Sequence, residues 1–435
     1  MTPRDLKFYF SHDVLIRKEF FGTLILLLNG QRFIIDNKFI PILKALPSSS
    51  AQICKKTGVP LEEIAVFLES LKEKGIVANI PKLDIPNVRI VEKKFISQDC
   101  LSFPRTVYWE CTRRCNFRCI HCYSSSGIEG AKGMSLVNTK KMIDELSQNG
   151  VEFLNIGGGE PLLYPHIYKT LRYAADSHLM VEMTTNGSLI NDQVIKKLSL
   201  AGLEFIQVSL DGACGKTYQK IRKGGNFDLV VSNIKKLAEK FTVSICMVAT
   251  KLNFKETDEL VQLSKKLGAK YFRVIPLLGV GRGSKLSNIQ LSTQEFRDYH
   301  KSIQQLKEKE KNNIYIQLNE NLILPDRKNI TWMPEEHYGC PAGRTTCGID
   351  PNGNVYPCSY MNFKELLCGN ITEQSLLSIW QTSTILKDIR QVNHLKGKCS
   401  DCKYLDDCRG GCRASAYLKN RKINDSDPLC SIEGK

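Results

Sequence analysis

At 435 residues, 42% of them hydrophobic, the chain is long enough for roughly two to four domains with real cores. Seventeen cysteines, with no signal-peptide pattern at Met1-Thr2-Pro3-Arg4-Asp5, argue against a secreted disulfide scaffold and for metal in a reducing compartment. The formal charge of +16 fits an acidic partner, a peptide or a nucleic acid, although most surface lysine simply faces water; the longest apolar run, residues 20–28, is too short to cross a bilayer, so a cytoplasmic protein with no membrane partner is expected.

Residues 1–95 read as a first module. Residues 17–28, the Asn29-Gly30 turn and residues 31–36 predict a hairpin. Helices are expected at 38–46, at 50–56 ending on Gly58, and at 60–74, the last with Ile64, Phe67, Leu68 and Leu71 on one face and Gly75 as its stop. Strands followed by three short helices make a winged-helix-like unit. Its last helix starts with Glu62 and Glu63 and has no arginine or asparagine row for reading bases, which argues against nucleic acid. Residues 96–104 are a linker with little periodicity.

From residue 105 to 312 the pattern alternates. Strands are predicted at 106–110, 153–157, 181–185, 205–210, 243–248 and 272–276, with helices at 140–147, 167–176, 192–201, 229–240, 257–267 and 293–310. Leu229, Val230, Asn233, Ile234 and Leu237 carry the amphipathic spacing of the fourth helix. Six such units imply an α/β fold, a partial (β/α)6 TIM-type barrel of parallel strands with right-handed crossovers, whose chemistry sits on the loops after the strands. The polar motifs fall there. Cys115-Asn116-Phe117-Arg118-Cys119-Ile120-His121-Cys122 follows the first strand, Gly157-Gly158-Gly159-Glu160-Pro161 the second, Thr185-Asn186-Gly187 the third and Ser209-Leu210-Asp211-Gly212 the fourth. Three thiols in a CxxxCxxC turn suit a 4Fe–4S cube with its fourth iron free, the alternative being a zinc knuckle with a distant ligand.

A connector at 313–335 leads to a cysteine-rich segment, 336–435. It runs Cys340, Cys347, Cys358, then Cys399, Cys402, Cys408, Cys412 in CxxCxxxxxCxxxC spacing, and Cys430. Cys111 lies outside the first spacing and reads as a non-ligand; Cys246 reads as core, and Cys214 as structural.

Residues 105–310 resemble the radical S-adenosylmethionine superfamily. The resemblance implies that Cys115, Cys119 and Cys122 ligate a catalytic cube and that S-adenosylmethionine chelates its free iron. It implies Gly158, Gly159 and Glu160 at the methionine ammonium, Ser209 and Asp211 at the ribose, Arg222 at the methionine carboxylate and His121 near adenine. The cysteine-rich segment resembles the SPASM extension with two auxiliary 4Fe–4S cubes, one on Cys340, Cys347, Cys358 and Cys412 and one on Cys399, Cys402, Cys408 and Cys430. Cys347 is the ligand the pattern specifies least, and without it the first auxiliary cube would keep an iron open to a substrate thiol. Three cubes would bring the net charge to roughly +11.

The first module is similar to the peptide-recognition element of ribosomally made peptide pathways, a fold like the pyrroloquinoline quinone chaperone, on residues 17–22, Ile35-Asp36 and 67–77. There a leader peptide adds as a strand to a sheet edge. Together the three parts imply a maturase that takes hydrogen from a ribosomally made precursor peptide and installs an oxidative crosslink, supplied by an external flavodoxin- or ferredoxin-type electron donor. Modification of a folded protein, as by sulfatase-maturing enzymes, or cofactor biosynthesis are the alternatives within the same chemistry. A passive ferredoxin-like carrier is the alternative outside it.

Overall fold

The computed structural model describes residues 6–19, 21–27, 31–81, 86–92, 100–318 and 339–430. They form two compact units, Met1–Ser102 with Gln148–Gly150, and Phe103–Ser147 with Val151–Lys435.

The first unit contains β1 (Lys7–Phe10), β2 (Val14–Glu19), β3 (Gly22–Leu27), β4 (Arg32–Ile35), α1 (Ile40–Lys44), β5 (Ser48–Ser49), α2 (Ser50–Thr57), α3 (Leu61–Glu73), β6 (Val77–Ala78) and β7 (Val88–Glu92). One sheet has the order β4-β3-β2-β7 and a second β5-β1-β6. The single strand expected at 17–28 is two: β2 and β3 pair antiparallel with Glu19 opposite Gly22. Glycine is required at that reversal, since φ is +142° and a Cβ there would meet the Ile35 carbonyl oxygen at 2.7 Å. β3 and β4 pair antiparallel as a hairpin should, while the Asn29-Gly30 turn itself lies outside the described residues. Helix α2 starts on a reciprocal Ser49–Gln52 capping box and stops at left-handed Gly58. Helix α3 buries Ile64, Phe67, Leu68 and Leu71, the face its periodicity predicts. These meet Ile16, Ile25, Ile42 and Ile53 in one aliphatic core. Each fully buried side chain there contributes about 1.5–3 kcal/mol.

The second unit is an α/β structure built on a mostly parallel sheet. Strands β8 (Thr106–Thr112), β9 (Phe153–Gly158), β10 (Met180–Thr185), β11 (Phe205–Ser209), β12 (Thr242–Ala249), β13 (Tyr271–Pro276) and β14 (Tyr315–Leu318) lie side by side in chain order. All six neighbouring pairs are parallel. Helices α4 (Leu136–Gln148), α5 (Ile167–Asp176), α6 (Asp192–Leu200), α7 (Gly215–Ile221), α8 (Phe227–Ala238), α9 (Thr257–Lys266) and α10 (Thr293–Glu310) connect them. Six strands were expected; β14 adds a seventh beyond α10. In α8 the buried face is Val230, Asn233, Ile234 and Leu237, and Leu229, assigned to it by spacing, is 44% exposed.

The sheet does not stop at the cysteine-rich segment. β15 (Thr346–Ile349) pairs parallel with β8, and β16 (Asn354–Tyr356) and β17 (Gly369–Asn370) continue from it antiparallel. The segments expected as separate domains, 105–312 and 336–435, therefore share one ten-stranded sheet. Helices α11 (Leu376–Thr382), α12 (Thr384–Arg390), α13 (Leu405–Cys408) and α14 (Arg413–Asn420) complete the segment. The Glu145 carboxylate of α4 accepts the Leu376 and Leu377 amides at 3.0 and 2.9 Å, fastening the N-terminus of α11 to the helical layer. Among the described residues no helix is long and apolar enough to cross a membrane.

Candidate functional site

The loop after β8 carries the first three thiols, and its backbone is tied down on several sides. The Arg118 and Ile120 amides donate to the Lys223 and Ile221 carbonyls at 2.9 and 3.0 Å, and the Cys115 amide donates to Gly127 at 3.0 Å. Arg282 donates from Nε to the Cys119 carbonyl at 2.8 Å and from a terminal nitrogen to Ser126 at 2.7 Å. Cys115 and Cys119 are buried and Cys122 half-buried. Donors reach the sulfurs: the Phe117 amide at 3.4 Å and Asn186 Nδ2 at 3.9 Å to Cys115, and Arg222 at 3.8 Å to Cys119. Burial pushes the Cys119 thiol up to about 11 against the pull of Arg222.

The neighbouring loops interlock with this turn. Gly158 has φ +117°, and a Cβ on it would meet the Thr112 carbonyl oxygen at 2.3 Å; one on Gly159 would meet that of Arg114 at 2.1 Å. The Gly159 and Glu160 amides donate to those carbonyls at 2.7 and 2.8 Å. Glycines are needed because β9 and the thiol loop pack backbone to backbone. The Glu160 carboxylate is wholly buried. It accepts the Thr185 hydroxyl and the Asn186 amide, both at 2.8 Å, and so sets the turn that aims Asn186 at Cys115. In this structure the Gly159 and Glu160 amides and the Glu160 carboxylate are thus engaged by the protein itself.

Asp211 is the hub of the strand-four end. It is wholly buried. One oxygen accepts the Val248 amide at 2.7 Å. The other lies 2.8 Å from His121 Nε2 and 2.7 Å from Arg222 Nε. Burial alone would raise this carboxyl, but Arg222 and His121 outweigh it and hold it at about 2. Arg222 and His121, read from sequence as facing a bound nucleotide, are therefore held by Asp211, with His121 Nδ1 buried and unpartnered. Ser209 is half-buried beside Cys246. Cys111 donates to the Gly157 carbonyl at 3.4 Å.

Of the nine cysteines in the C-terminal segment, Cys399, Cys402, Cys408 and Cys430 lie near enough for the other three to influence the ionisation of Cys399. Cys340, Cys358 and Cys412 form a second group, Cys358 sensing the other two, packed in one cluster with Ala342, Met361, Leu366 and Tyr417. Asp427 links the groups: it accepts the Cys412 amide at 2.6 Å and the Leu429 amide, next to Cys430, at 2.9 Å. Cys347 is elsewhere. It is wholly buried, and its ionisable neighbours are Cys368 and Arg390.

The Radical SAM superfamily profile matches residues 109–264, and the SPASM iron–sulfur cluster-binding domain profile matches residues 340–403. The mycofactocin maturase MftC of Mycobacterium tuberculosis is 31% identical over 346 residues, 76% of this chain and 83% of that protein. The chain belongs to the radical SAM superfamily. An AdoMet-dependent heme synthase of Methanosarcina barkeri is also 31% identical, over 75% of this chain and 96% of that protein. In fold, Streptococcus suis SuiB bound to its precursor peptide SuiA matches with a TM-score of 0.75, covering 98% of this chain and all of that one at 20% identity.

As a radical SAM enzyme, the protein needs thiolates for a cluster and a polar surround for S-adenosylmethionine. The thiol turn fits: three sulfurs on one loop, each of two receiving donors from side chains or backbone, next to an unpartnered buried imidazole nitrogen. Sequence reasoning missed a belt on the face of the radical SAM sheet that carries Tyr108 and Glu110. Asn155 donates to Glu182, Gln207 to Thr184 at 3.3 Å, and Arg273 to Gln207 at 3.5 Å. Burial raises the Glu182 and Glu110 carboxyls, against Arg273 and Arg113 respectively. Alternation was the available signal, since β8, β10 and β11 place polar residues two apart, at Tyr108 and Glu110, Glu182 and Thr184, and Gln207 and Ser209. Also missed was Tyr123, next to Cys122, whose ring stands 5.2 Å edge-on from Tyr360, two residues after Cys358.

Proposed function

We propose that the protein is a peptide maturase: it takes hydrogen from a ribosomally made precursor peptide and installs an oxidative crosslink, thioether or carbon–carbon or carbon–oxygen. The observation that carries this is the pairing, in one compact unit, of the CxxxCxxC turn with two further thiol groups, in a chain related over most of its length to a protein named a maturase. The fold match to SuiB bound to its precursor peptide extends over the N-terminal unit as well, since it covers 98% of the chain. That unit is the proposed leader-binding module, at residues 1–95, and 105–312 and 336–435 the proposed radical and auxiliary segments.

Cys115, Cys119 and Cys122 would hold the catalytic 4Fe–4S cluster, and the C-terminal thiols two more. S-adenosylmethionine bound to that cluster supplies a 5′-deoxyadenosyl radical that removes a substrate hydrogen atom. The chain's own task is positioning and exclusion of water. Asp211 fixes Arg222 and His121 beside Cys119 and Cys122 at 2.7 and 2.8 Å. Glu160 fixes the Asn186 turn, and Ser209 stands at the same rim for the ribose. Glu110, Glu182 and Arg273 line the face that a substrate side chain would meet, with Glu110 beside Tyr123 able to accept the proton that an oxidative coupling releases, while an auxiliary cluster would take the remaining electron. An external low-potential donor of flavodoxin or ferredoxin type would supply the electron.

A second reading, cofactor biosynthesis on a tetrapyrrole, is favoured by the heme synthase relative, 96% of which is matched. Anaerobic incubation with S-adenosylmethionine, a low-potential reductant and a candidate precursor peptide separates them. Peptide-dependent 5′-deoxyadenosine and a peptide lighter by a pair of hydrogens are expected. Undiminished turnover after deletion of residues 1–95 would overturn the peptide reading.

A further inference from the structure

The polar face of the radical SAM sheet holds one positive charge that the chain itself does not answer. Along β13, Phe272 and Val274 are buried in the core, so Arg273 between them points to the opposite face. The parallel register sets it beside Cys246 of β12, which stands beside Ser209 of β11. Arg273 is half-buried. One terminal nitrogen donates to Gln207 Oε1 at 3.5 Å, and the Tyr108 hydroxyl lies beside the guanidinium. Among the described residues no carboxylate comes within 4.0 Å of it. Glu182 acts on it across a longer gap and is itself held by Asn155.

Other arginines of this unit are clamped. Arg222 meets Asp211 at 2.7 Å. Arg390 donates to the Gly343 and Trp380 carbonyls at 2.7 and 2.9 Å, and Arg413 to the Ile423 and Asp425 carbonyls at 2.9 and 2.7 Å. A guanidinium has five N–H donors in a planar fork and keeps its charge at any working pH. Two neutral neighbours therefore leave most of the Arg273 fork open to the polar face. Solvent stabilises a half-buried guanidinium as long as solvent reaches it. A substrate that covers this face excludes water, and a cation stripped of water without a counter-charge is costly. Glu182 is a poor replacement, since burial pushes its carboxyl toward the neutral form. The missing charge has to arrive with the substrate.

We infer that Arg273 is a specificity-determining residue, and that it selects a substrate bearing a carboxylate, which it holds through two parallel N–H bonds of its fork. This rests on the reading of this face as the substrate side of the barrel. The surroundings agree with that reading. Arg273 influences the ionisation of Tyr360, whose ring stands 5.2 Å from that of Tyr123, next to Cys122. A carboxylate held by Arg273 thus anchors the substrate near the catalytic turn. A peptide offers the group on an acidic side chain or at its C-terminus, and a tetrapyrrole offers it on a propionate.

The test measures binding to the full, anaerobically prepared holoenzyme by calorimetry. One probe is a candidate precursor peptide in which each carboxylate is replaced in turn by its amide; the other is coproporphyrin III against its tetramethyl ester. In the parent, removing one particular peptide carboxylate should weaken binding about 30-fold. In Arg273→Gln the acid form should already bind that weakly, and the same replacement should change nothing further. Arg273→Lys should fall between, since it keeps the charge and loses the fork. Tight binding of the porphyrin acid alone, lost in Arg273→Gln, upholds the inference and overturns the peptide reading. Peptide amides that all bind as tightly as the acid, or an affinity indifferent to Arg273→Gln, overturn the inference and leave the peptide reading standing. Binding of neither acid overturns both. Should Arg273→Gln fail to fold by far-UV circular dichroism, the amide series on the parent and on Arg273→Lys decides.

Discussion

The two auxiliary thiol groups were written in the same alphabet and came out differently. Cys399, Cys402 and Cys408 sit on consecutive short turns, and Cys430 arrives on a loop whose amide is held by Asp427 at 3.0 Å. For such a group, spacing is geometry: a two-residue gap on a tight turn leaves the thiols facing one another. The other group draws one candidate from the middle of a strand, where position is dictated by what the strand pairs with. Cys347 obeys the register of β15 on β8 and is carried to the apolar side. Cysteine spacing is therefore informative on turns and weak on strands.

Breaking the link between the groups should have the largest effect. Asp427→Ala removes the acceptor of both the Cys412 and Leu429 amides. Iron content should fall by up to about eight per chain, leaving the catalytic site, and the unfolding midpoint should drop as two half-buried donors lose their partner, at about 1 kcal/mol each. Loss from one group only would show that the two are held independently.

Gly348→Ala sharpens the contrast. Its methyl group would press on the Cys358–Ser359 backbone, so about four irons should be lost from the first group while the second keeps its own. Selective loss is measured by comparing the Mössbauer spectra of this variant and the parent. Equal loss from both would mean that Gly348 does not face the trio alone.

Asp211→Asn carries the comparison to the catalytic turn, where a tertiary network supports a locally spaced motif. Arg222 would be left charged and buried, and a cost of about 3–5 kcal/mol is expected by chemical denaturation, with weaker S-adenosylmethionine binding by calorimetry. Retained iron alongside that loss would confirm that the spacing of Cys115, Cys119 and Cys122 alone assembles the turn. The smallest effect belongs to Cys214→Ser, on an exposed thiol at the start of α7. Stability within about 0.5 kcal/mol and unchanged iron are expected.

Several features could be read without coordinates because they are local. The 3.6-residue period of α3 names its buried face. The alternation of strands and helices from residue 105 names a parallel sheet, and the CxxxCxxC turn names its chemistry. The glycines of the Gly-Gly-Glu turn were visible too, but not their reason, which is the close approach of two backbones distant in sequence. What folding alone decided is everything that depends on partners: that β14 and β15 extend the sheet at its two ends, that Asp211 takes both Arg222 and His121, that Tyr123 meets Tyr360, and that Cys347 turns away from Cys358. The physical reason is the same in each case. A turn carries its geometry within a few residues, whereas the side a strand residue faces, and the charge a buried carboxylate answers, are set by chain that only folding brings alongside.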